Sequence, residues 1–259
     1  MQVGASTACF FPLETEKSLD NVLNLGFKTT EVFFNSVSEL EEPFVNDLKR
    51  NADSHCADIL SVHPFSAALE SNCIFCEYER RFNDFIGLYQ KHFHAAALLG
   101  ADVCVIHGSV AVQKRELSEE FYFDRFAKLV ELGKREGVRV CQENVVRFRS
   151  QDMEFLKRMR NYLGDDFNMV FDIKQSIRSG YNPFDVLDEF KNDIVHIHIS
   201  DNMPSYDCMP PGRGNFDFKR LFDTMESVDY KGGYVIEIYS KGYDVKKELV
   251  FSKDYLEKI

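Results

Sequence analysis

Six apolar runs in this chain finish on a residue that can ionise or ligate, and this recurrence limits the fold more than any other feature. LSVH ends at His63, VCVIH at His107, VRVCQEN carries Glu143, NMVFD ends at Asp172, IVHIHISD carries His196, His198 and Asp201, and GGYVIEIY carries Glu237. A carboxylate or imidazole is seldom placed at the edge of a buried run without a partner, because an unpaired charge in an apolar setting is costly. In a closed parallel barrel all the strand carboxyl ends lie on one face, where they and the loops after them build a site. The runs therefore predict a barrel with its ionisable groups gathered at one mouth.

The segments between the runs support this. Leu19, Val22 and Leu23 mark a helix face that stops near Gly26; Phe44, Val45 and Leu48 mark a second; a long helix from about Tyr78 to Leu99 buries Phe82, Phe85, Ile86, Tyr89 and Phe93. Ser118 followed by Glu119 and Glu120 reads as an N-cap with an acidic first turn, and Asn182 with Pro183 as another start. With QVGASTACF (residues 2–10) as the first strand and FKTTEVFF as the second, the chain reads as eight strand-then-helix units. Alternation of this kind predicts a parallel sheet. The open doubly wound alternative wants a glycine-rich phosphate turn after strand one, and FFPLETEKS has none. The expected fold class is α/β, a single (β/α)8 barrel over residues 1–259. The length suits such a barrel, and 24 Phe residues supply bulk for its core.

Composition narrows function. A formal charge of -11 argues against nucleic acid as a partner, since that binding relies on neutralising phosphates. No apolar run is long enough to span a membrane, and Met1 runs almost directly into the first strand, so neither a membrane partner nor a signal peptide is expected and a cytoplasmic location is. Seven scattered cysteines agree with a reducing compartment, and the lone Cys73-x-x-Cys76 pair reads as two incidental thiols. Nothing in the sequence bears on oligomeric state.

Glu143, Asp172, His198 and Glu237 fall on consecutive staves at matching ends. Three carboxylates and an imidazole packed together would repel one another, and a divalent cation resolves this by pairing with the charges. The set is compatible with Mn²⁺, Zn²⁺, Co²⁺ or Mg²⁺. His63 and His107 close the opposite wall, where a second metal, substrate hydrogen bonds and plain core burial are all open, with substrate contact preferred. His196 shares the parity of His198 and is expected one layer beneath it. Residues 201–217, DNMPSYDCMPPGRGNFD, are long for a connection, and Asn202 to Asn215 within them read as a mobile lid.

The order of HGS after strand four, QEN on strand five, HIHISD on strand seven and PPGRGNFD in the next loop resembles the xylose isomerase-like TIM-barrel superfamily, the sugar phosphate isomerase/epimerase group, along essentially the whole chain. The resemblance implies one divalent metal ion held by Glu143, Asp172, His198 and Glu237, with Glu143 and Glu237 also acting as acid and base through an enediolate. It implies a small carbohydrate substrate and an isomerase or epimerase, with a metal-dependent lyase or dehydratase acting on a sugar or inosose as the nearer alternative and an inactive binding barrel as the further one. Two positions depart from the group: Gln175 stands where many relatives have His, and Arg213 where many have Glu. The group's abasic-site endonucleases need that His together with an Asp and a His in the seventh loop, so the third zinc of those enzymes cannot be assembled here. Gln175, Lys174, Arg213, His63 and His107 are the expected substrate contacts. Arg147, Arg149, Lys174, Arg178 and Arg213, all near the same mouth, suit a phosphate or carboxylate on the substrate.

Overall fold

The computed structural model describes residues 2–112, 117–239 and 242–259. Its strands are β1 (Val3–Ser6), β2 (Thr29–Phe33), β3 (Asp58–His63), β4 (Val103–Ile106), β5 (Arg139–Glu143), β6 (Met169–Asp172), β7 (Ile194–Ile199), β8 (Asp201–Met203), β9 (Tyr206–Met209) and β10 (Tyr234–Ile236). The helices are α1 (Thr15–Asn24), α2 (Glu42–Ser54), α3 (Ala67–Cys73), α4 (Glu79–Leu99), α5 (Glu119–Arg135), α6 (Met153–Leu163), α7 (Ile173–Arg178), α8 (Pro183–Phe190), α9 (Phe218–Glu226) and α10 (Val245–Leu256). β1 to β7 and β10 pair in parallel and close on themselves through β1 and β10, giving a (β/α)8 barrel; β8 and β9 form a separate antiparallel hairpin. The fold is the one the alternating runs predict.

Local chemistry sets the element ends. The Ser118 hydroxyl accepts from the Phe121 amide at 3.1 Å to start α5, and the Asn182 side chain accepts from the Phe184 amide at 3.0 Å to start α8. Gly100 takes the left-handed conformation that closes α4. Most of the core lies between the outer faces of the strands and the helices, where Phe27, Phe34, Phe93, Phe126, Phe171 and Phe190 are fully buried. A smaller cluster of Val103, Val105, Cys141 and Val170 is separate from it. Val105, Cys141 and Val170 stand two residues before His107, Glu143 and Asp172, so they share the inward face. The interior below the mouth is therefore apolar on the β4–β6 side, while His196, the register partner of Val170, brings an imidazole to the same depth on β7.

The structure departs from the sequence expectations in four places. The first strand stops at Ser6, where the Ser6 hydroxyl accepts from the Ala8 amide and opens a 3-10 turn over Thr7–Phe10. Two short helices, α3 and α7, carry no readable periodicity in the sequence, and α7 begins directly at the end of β6 because Asp172 caps it. The 201–217 stretch is not a plain loop. It folds into the β8–β9 hairpin, and the Asp201 carboxylate accepts from the amides of Asn202, Gly212, Gly214 and Phe216 at 2.8–2.9 Å. Gly214 is required by this closeness, since a Cβ there would lie 2.4 Å from Asp201 Oδ1. Among the described residues no helix is long and apolar enough to cross a membrane.

Candidate active site

Residues 142–144 show how the sequence presents a carboxylate. Side chains alternate along β5, so Gln142 and Asn144 point away from the barrel axis while Glu143 points toward it. Gln142 donates to the Ile106 and His107 carbonyls at 3.1 and 2.9 Å and fastens β5 to the end of β4. Asn144 accepts from the Asp172 amide at 2.8 Å and donates to the Asp172 carbonyl at 3.0 Å, fastening β5 to β6. Glu143 is thus held between two braces, 2 % exposed.

Glu143, Asp172, His198 and Glu237 converge, each offering a ligand atom within 4.8 Å of the others, and all four are buried. Asp172 and His198 are direct neighbours in the β6–β7 register. Glu237 follows β10 immediately, its amide donating to the Ile199 carbonyl at 3.1 Å. His198 Nδ1 lies 3.3 Å from Glu143 Oε1 and 3.7 Å from both Asp172 Oδ2 and Glu237 Oε2. Its Nε2 lies 3.0 Å from Glu31 Oε2, so with Nε2–H donating to Glu31, Nδ1 faces the three carboxylates. A carboxylate behind the far nitrogen is the usual support of a metal-binding imidazole. Glu31 also accepts from Ser61 at 2.8 Å and lies 3.4 Å from His196 Nε2. Its role was missed in the sequence although a signal existed: it interrupts the buried strand TTEVF in the way the other ionisable groups do.

The opposite wall carries His63 and His107. His63 Nδ1 donates to the Pro64 carbonyl at 3.1 Å, which leaves its Nε2 as a lone pair 3.0 Å from His107 Nε2. Glu143 Oε2 lies 2.9 Å from His107 Nε2 and 3.9 Å from His63 Nε2, fully buried and outside hydrogen-bond geometry. These three form a second group able to surround a cation. Behind them Glu70 accepts from the Gly108 amide and the Tyr89 hydroxyl. Gly108 has a positive φ, and a Cβ there would lie 1.9 Å from the Tyr122 hydroxyl, so the HGS turn needs glycine. Nothing in the short α3 sequence marks Glu70 in advance.

The electrostatics follow from these contacts. Burial pushes the Glu143 carboxyl upward, but His107, His198 and His63 outweigh it and hold the group well below the usual carboxylate range. Burial likewise opposes ionisation of Glu237, and Lys174 and His198 overcome it. For Asp172 burial wins over Lys174 and His198, and its carboxyl is raised. Lys174 is itself 1 % exposed; burial disfavours its charge, yet Asp172 and Glu237 hold the ammonium well above the ordinary lysine value. Its Nζ donates to both carboxylates.

The donor set fits a divalent ion: three buried carboxylates with His198 Nδ1 aimed at them, a nitrogen whose proton an ion would displace, and an orphaned buried oxygen on Glu143. Among the expected substrate contacts, Lys174, His63 and His107 belong to this ensemble. Gln175 is used structurally, its Oε1 accepting from the Val146 amide at 3.2 Å and its amide donating to Asp172 Oδ1 at 3.0 Å. Arg213 is committed to α10, forked onto Glu248 at 2.8 and 3.2 Å with its guanidinium 3.6 Å from the centre of the Phe251 ring. Arg178 pairs with Asp207 of β9 at 2.6 Å, Arg149 donates to the Leu117 carbonyl, and Arg147 is exposed. Among the described residues Lys174 is the cation that reaches the carboxylates. Cys73 and Cys76 are free thiols, with Cys76 Sγ 3.6 Å from the Cys73 carbonyl.

Beside this ensemble lies a cavity of about 610 Å³ lined by Ile177, Met203, Tyr206, Cys208, Tyr239 and Tyr243, among others. Tyr239 links the two, its ring centre 5.4 Å from Lys174 Nζ.

Comparison with known proteins agrees with this architecture. An uncharacterized protein of Mycobacterium leprae is 21% identical over 92% of this chain and 89% of its own length. An inosose dehydratase of Histophilus somni is 26% identical over 43% of this chain and 45% of its own, and an L-ribulose-5-phosphate 3-epimerase of Shigella boydii is 35% identical over 25% and 23%. Among solved structures, a D-tagatose 3-epimerase-like protein superposes with a TM-score of 0.82 at 21% identity, covering 100% of this chain and 96% of that one. The 3-keto-D-glucoside 4-epimerase of E. coli does so with 0.80 at 18% identity, covering 100% of both. The model of the family described as xylose isomerase-like TIM barrel matches residues 19–258, and the chain belongs to that family.

Proposed function

We propose that this protein is a divalent-metal-dependent isomerase or epimerase of a small sugar, with Glu143 and Glu237 as its acid and base. The observation that carries the reading is the convergence of Glu143, Asp172, His198 and Glu237 at one mouth of the barrel. A divalent ion held by these four supplies electrophilic stabilisation of the negative charge that develops on a substrate carbonyl oxygen. Glu143 and Glu237 come from β5 and from the end of β10, three staves apart with β6 and β7 between them, so they face a bound molecule from different sides. Both carboxyls are held below the usual range and are ionised at neutral pH, the state a base must have. One takes the proton from the carbon beside the carbonyl, leaving an enediolate; the other, having taken up a proton from solvent as the sugar binds, returns that proton to carbon. Return to the opposite face of that carbon inverts it; return to its neighbour isomerises the sugar.

A neutral sugar is favoured over a phosphorylated one. Arg178 and Arg213, which the sequence offered for an anion, are paired with Asp207 and Glu248. The cavity walls carry the rings of Tyr206, Tyr239 and Tyr243, which suit the C–H faces of a sugar ring. The net charge of -11 and this site both argue against nucleic acid as substrate. Dehydration of an inosose begins with the same abstraction and stands as the second reading, supported by the partial match to an inosose dehydratase.

The test is solvent deuterium uptake into a panel of ketoses, sugar phosphates and inososes, with Mn²⁺ or Co²⁺ supplied. Exchange at the carbon next to the carbonyl is expected, and its product distinguishes epimer, isomer and dehydrated sugar. A panel without any exchange would end the reading.

A further inference from the structure

The carboxylates of the candidate site already have a cation among them. Lys174 stands in the first turn of α7, two residues after Asp172 ends β6, and its ammonium donates to both Asp172 Oδ2 and Glu237 Oε2. Those are the oxygens that lie 3.7 Å from His198 Nδ1, so the ammonium sits on the convergent atoms and not on an outer edge of the cluster. A lysine normally extends its stem so that its charge reaches water. Here the side chain is 1 % exposed and the Tyr239 ring lies beside the charge. Three buried carboxylates sharing one imidazole and one ammonium form an arrangement that holds its charges without any bound ion.

We propose that Lys174 is a resident cation of this seat, so that its ammonium and a divalent ion are alternative occupants of the Asp172–Glu237 side. The proposal rests on the reading that Glu143, Asp172, His198 and Glu237 bind a divalent ion. A doubly charged ion on those oxygens would face the ammonium at contact range, where like charges in a weakly screened interior repel strongly. Lys174 must therefore swing out as the ion enters, and the cavity beyond Tyr239 offers the space. Metal binding by this chain is weakened by that displacement, and Lys174 holds the Asp172 and Glu237 oxygens together whenever no divalent ion is bound.

Calorimetric titration of chelator-stripped protein with Co²⁺ reads this directly, comparing wild type with Lys174→Met and Lys174→Arg. Lys174→Met, which keeps the stem and removes the charge, is expected to bind at least about 100-fold more tightly than wild type, while Lys174→Arg stays weak. Equal affinity of wild type and Lys174→Met would overturn the proposal and leave the four-residue metal site standing. Absence of Co²⁺ binding in both would remove the metal reading itself, and this proposal with it. Should Lys174→Met fail to fold once stripped, wild type alone decides: acetylation of Lys174 by an activated ester, followed by mass spectrometry, should be suppressed in chelator and rise when Co²⁺ is bound. Labelling that Co²⁺ leaves unchanged or lowers would overturn the proposal.

Discussion

The two walls of the barrel mouth solve the same problem with different chemistry. On the β3–β4 wall, His63 and His107 are imidazoles whose hydrogen bonds run to a backbone carbonyl and to each other, with Glu143 Oε2 2.9 Å from His107 Nε2. On the wall formed by β6, β7 and β10, the carboxyls of Asp172 and Glu237 crowd together, and the fold supplies Lys174 between them. Glu143 belongs to both walls, with Oε1 toward His198 and Oε2 toward His107. The difference teaches that imidazoles tolerate crowding by choosing tautomers, whereas carboxylates must be given a cation.

Removing the shared residue is the strongest way to break this arrangement. Glu143→Gln keeps the shape and one ligating oxygen but loses the basic carboxylate, and turnover is expected to fall by about 10² to 10⁴ even at saturating metal. Full turnover of Glu143→Gln would end the two-glutamate mechanism. Glu237→Gln, on the carboxylate wall alone, should lose turnover in the same range, and one of the two variants should still exchange a substrate proton with solvent.

A smaller effect is expected from the support behind the carboxylate wall. Glu31→Gln leaves His198 in place but weakens the partner that fixes its Nε2–H, and metal affinity is expected to drop by about 10- to 100-fold. Direct metal titration measures this without substrate. Unchanged affinity would mean that packing alone orients His198.

How much of this was legible in the sequence differs between the walls in the same physical terms. The strand ends could be read because a buried run finishing on an ionisable residue has few explanations, and six such runs recur. The fold followed from the alternation, since an apolar strand period and a helical period are distinct signals. The seat's cation was harder to place: α7 is too short for a helical period, and Lys174 looks like any lysine after a strand until Asp172 caps the helix and turns it inward. Arg213 was legible as a cation and not as to direction. Its loop is routed by the four amides gathered on Asp201 and by Gly212, where a Cβ would meet Tyr255 at 2.7 Å, and neither contact has a local signature.

The histidine wall has a dry backing that makes a pH prediction. His92 on α4 is fully buried beside Phe34, Phe65 and Tyr89, both ring nitrogens lack a hydrogen-bond partner, and burial, with His63 nearby, lowers its pKa from 6.5 to about 3. The unfolded chain therefore binds a proton below pH 6.5 that the folded chain refuses, so stability is lost as pH falls from 6.5 toward 3. At pH 5 this contributes a loss of about 2 kcal/mol relative to neutral pH. Chemical denaturation of His92→Phe beside wild type should show that share of the acid loss removed. Parallel curves for the two proteins would mean that the unfolded state or local water satisfies His92 in some other way.

The smallest expected effect is at Arg213, and it tests whether the substrate site extends into the loop after β7 as the sequence suggested. Its side chain is 43% exposed, pairs with Glu248 in a two-bond fork and covers Phe251. A largely solvated ion pair contributes at most about 1 kcal/mol, and a guanidinium over a partly exposed ring such as Phe251 adds about 0.5–1 kcal/mol. Arg213→Ala should therefore lower stability by about 1 kcal/mol, with the loss smaller at high salt, because only the ion pair is screened. KM and kcat should both stay at the wild-type value, since the side chain is tied to α10 and not to the carboxylates. A rise in KM of about tenfold or more with unchanged kcat would instead show binding common to substrate and transition state, and would return Arg213 to the substrate. A lower kcat with KM unchanged would point to the hairpin beyond it, because the same Asp201 contacts that route Arg213 also hold β8 and β9 beside the cavity.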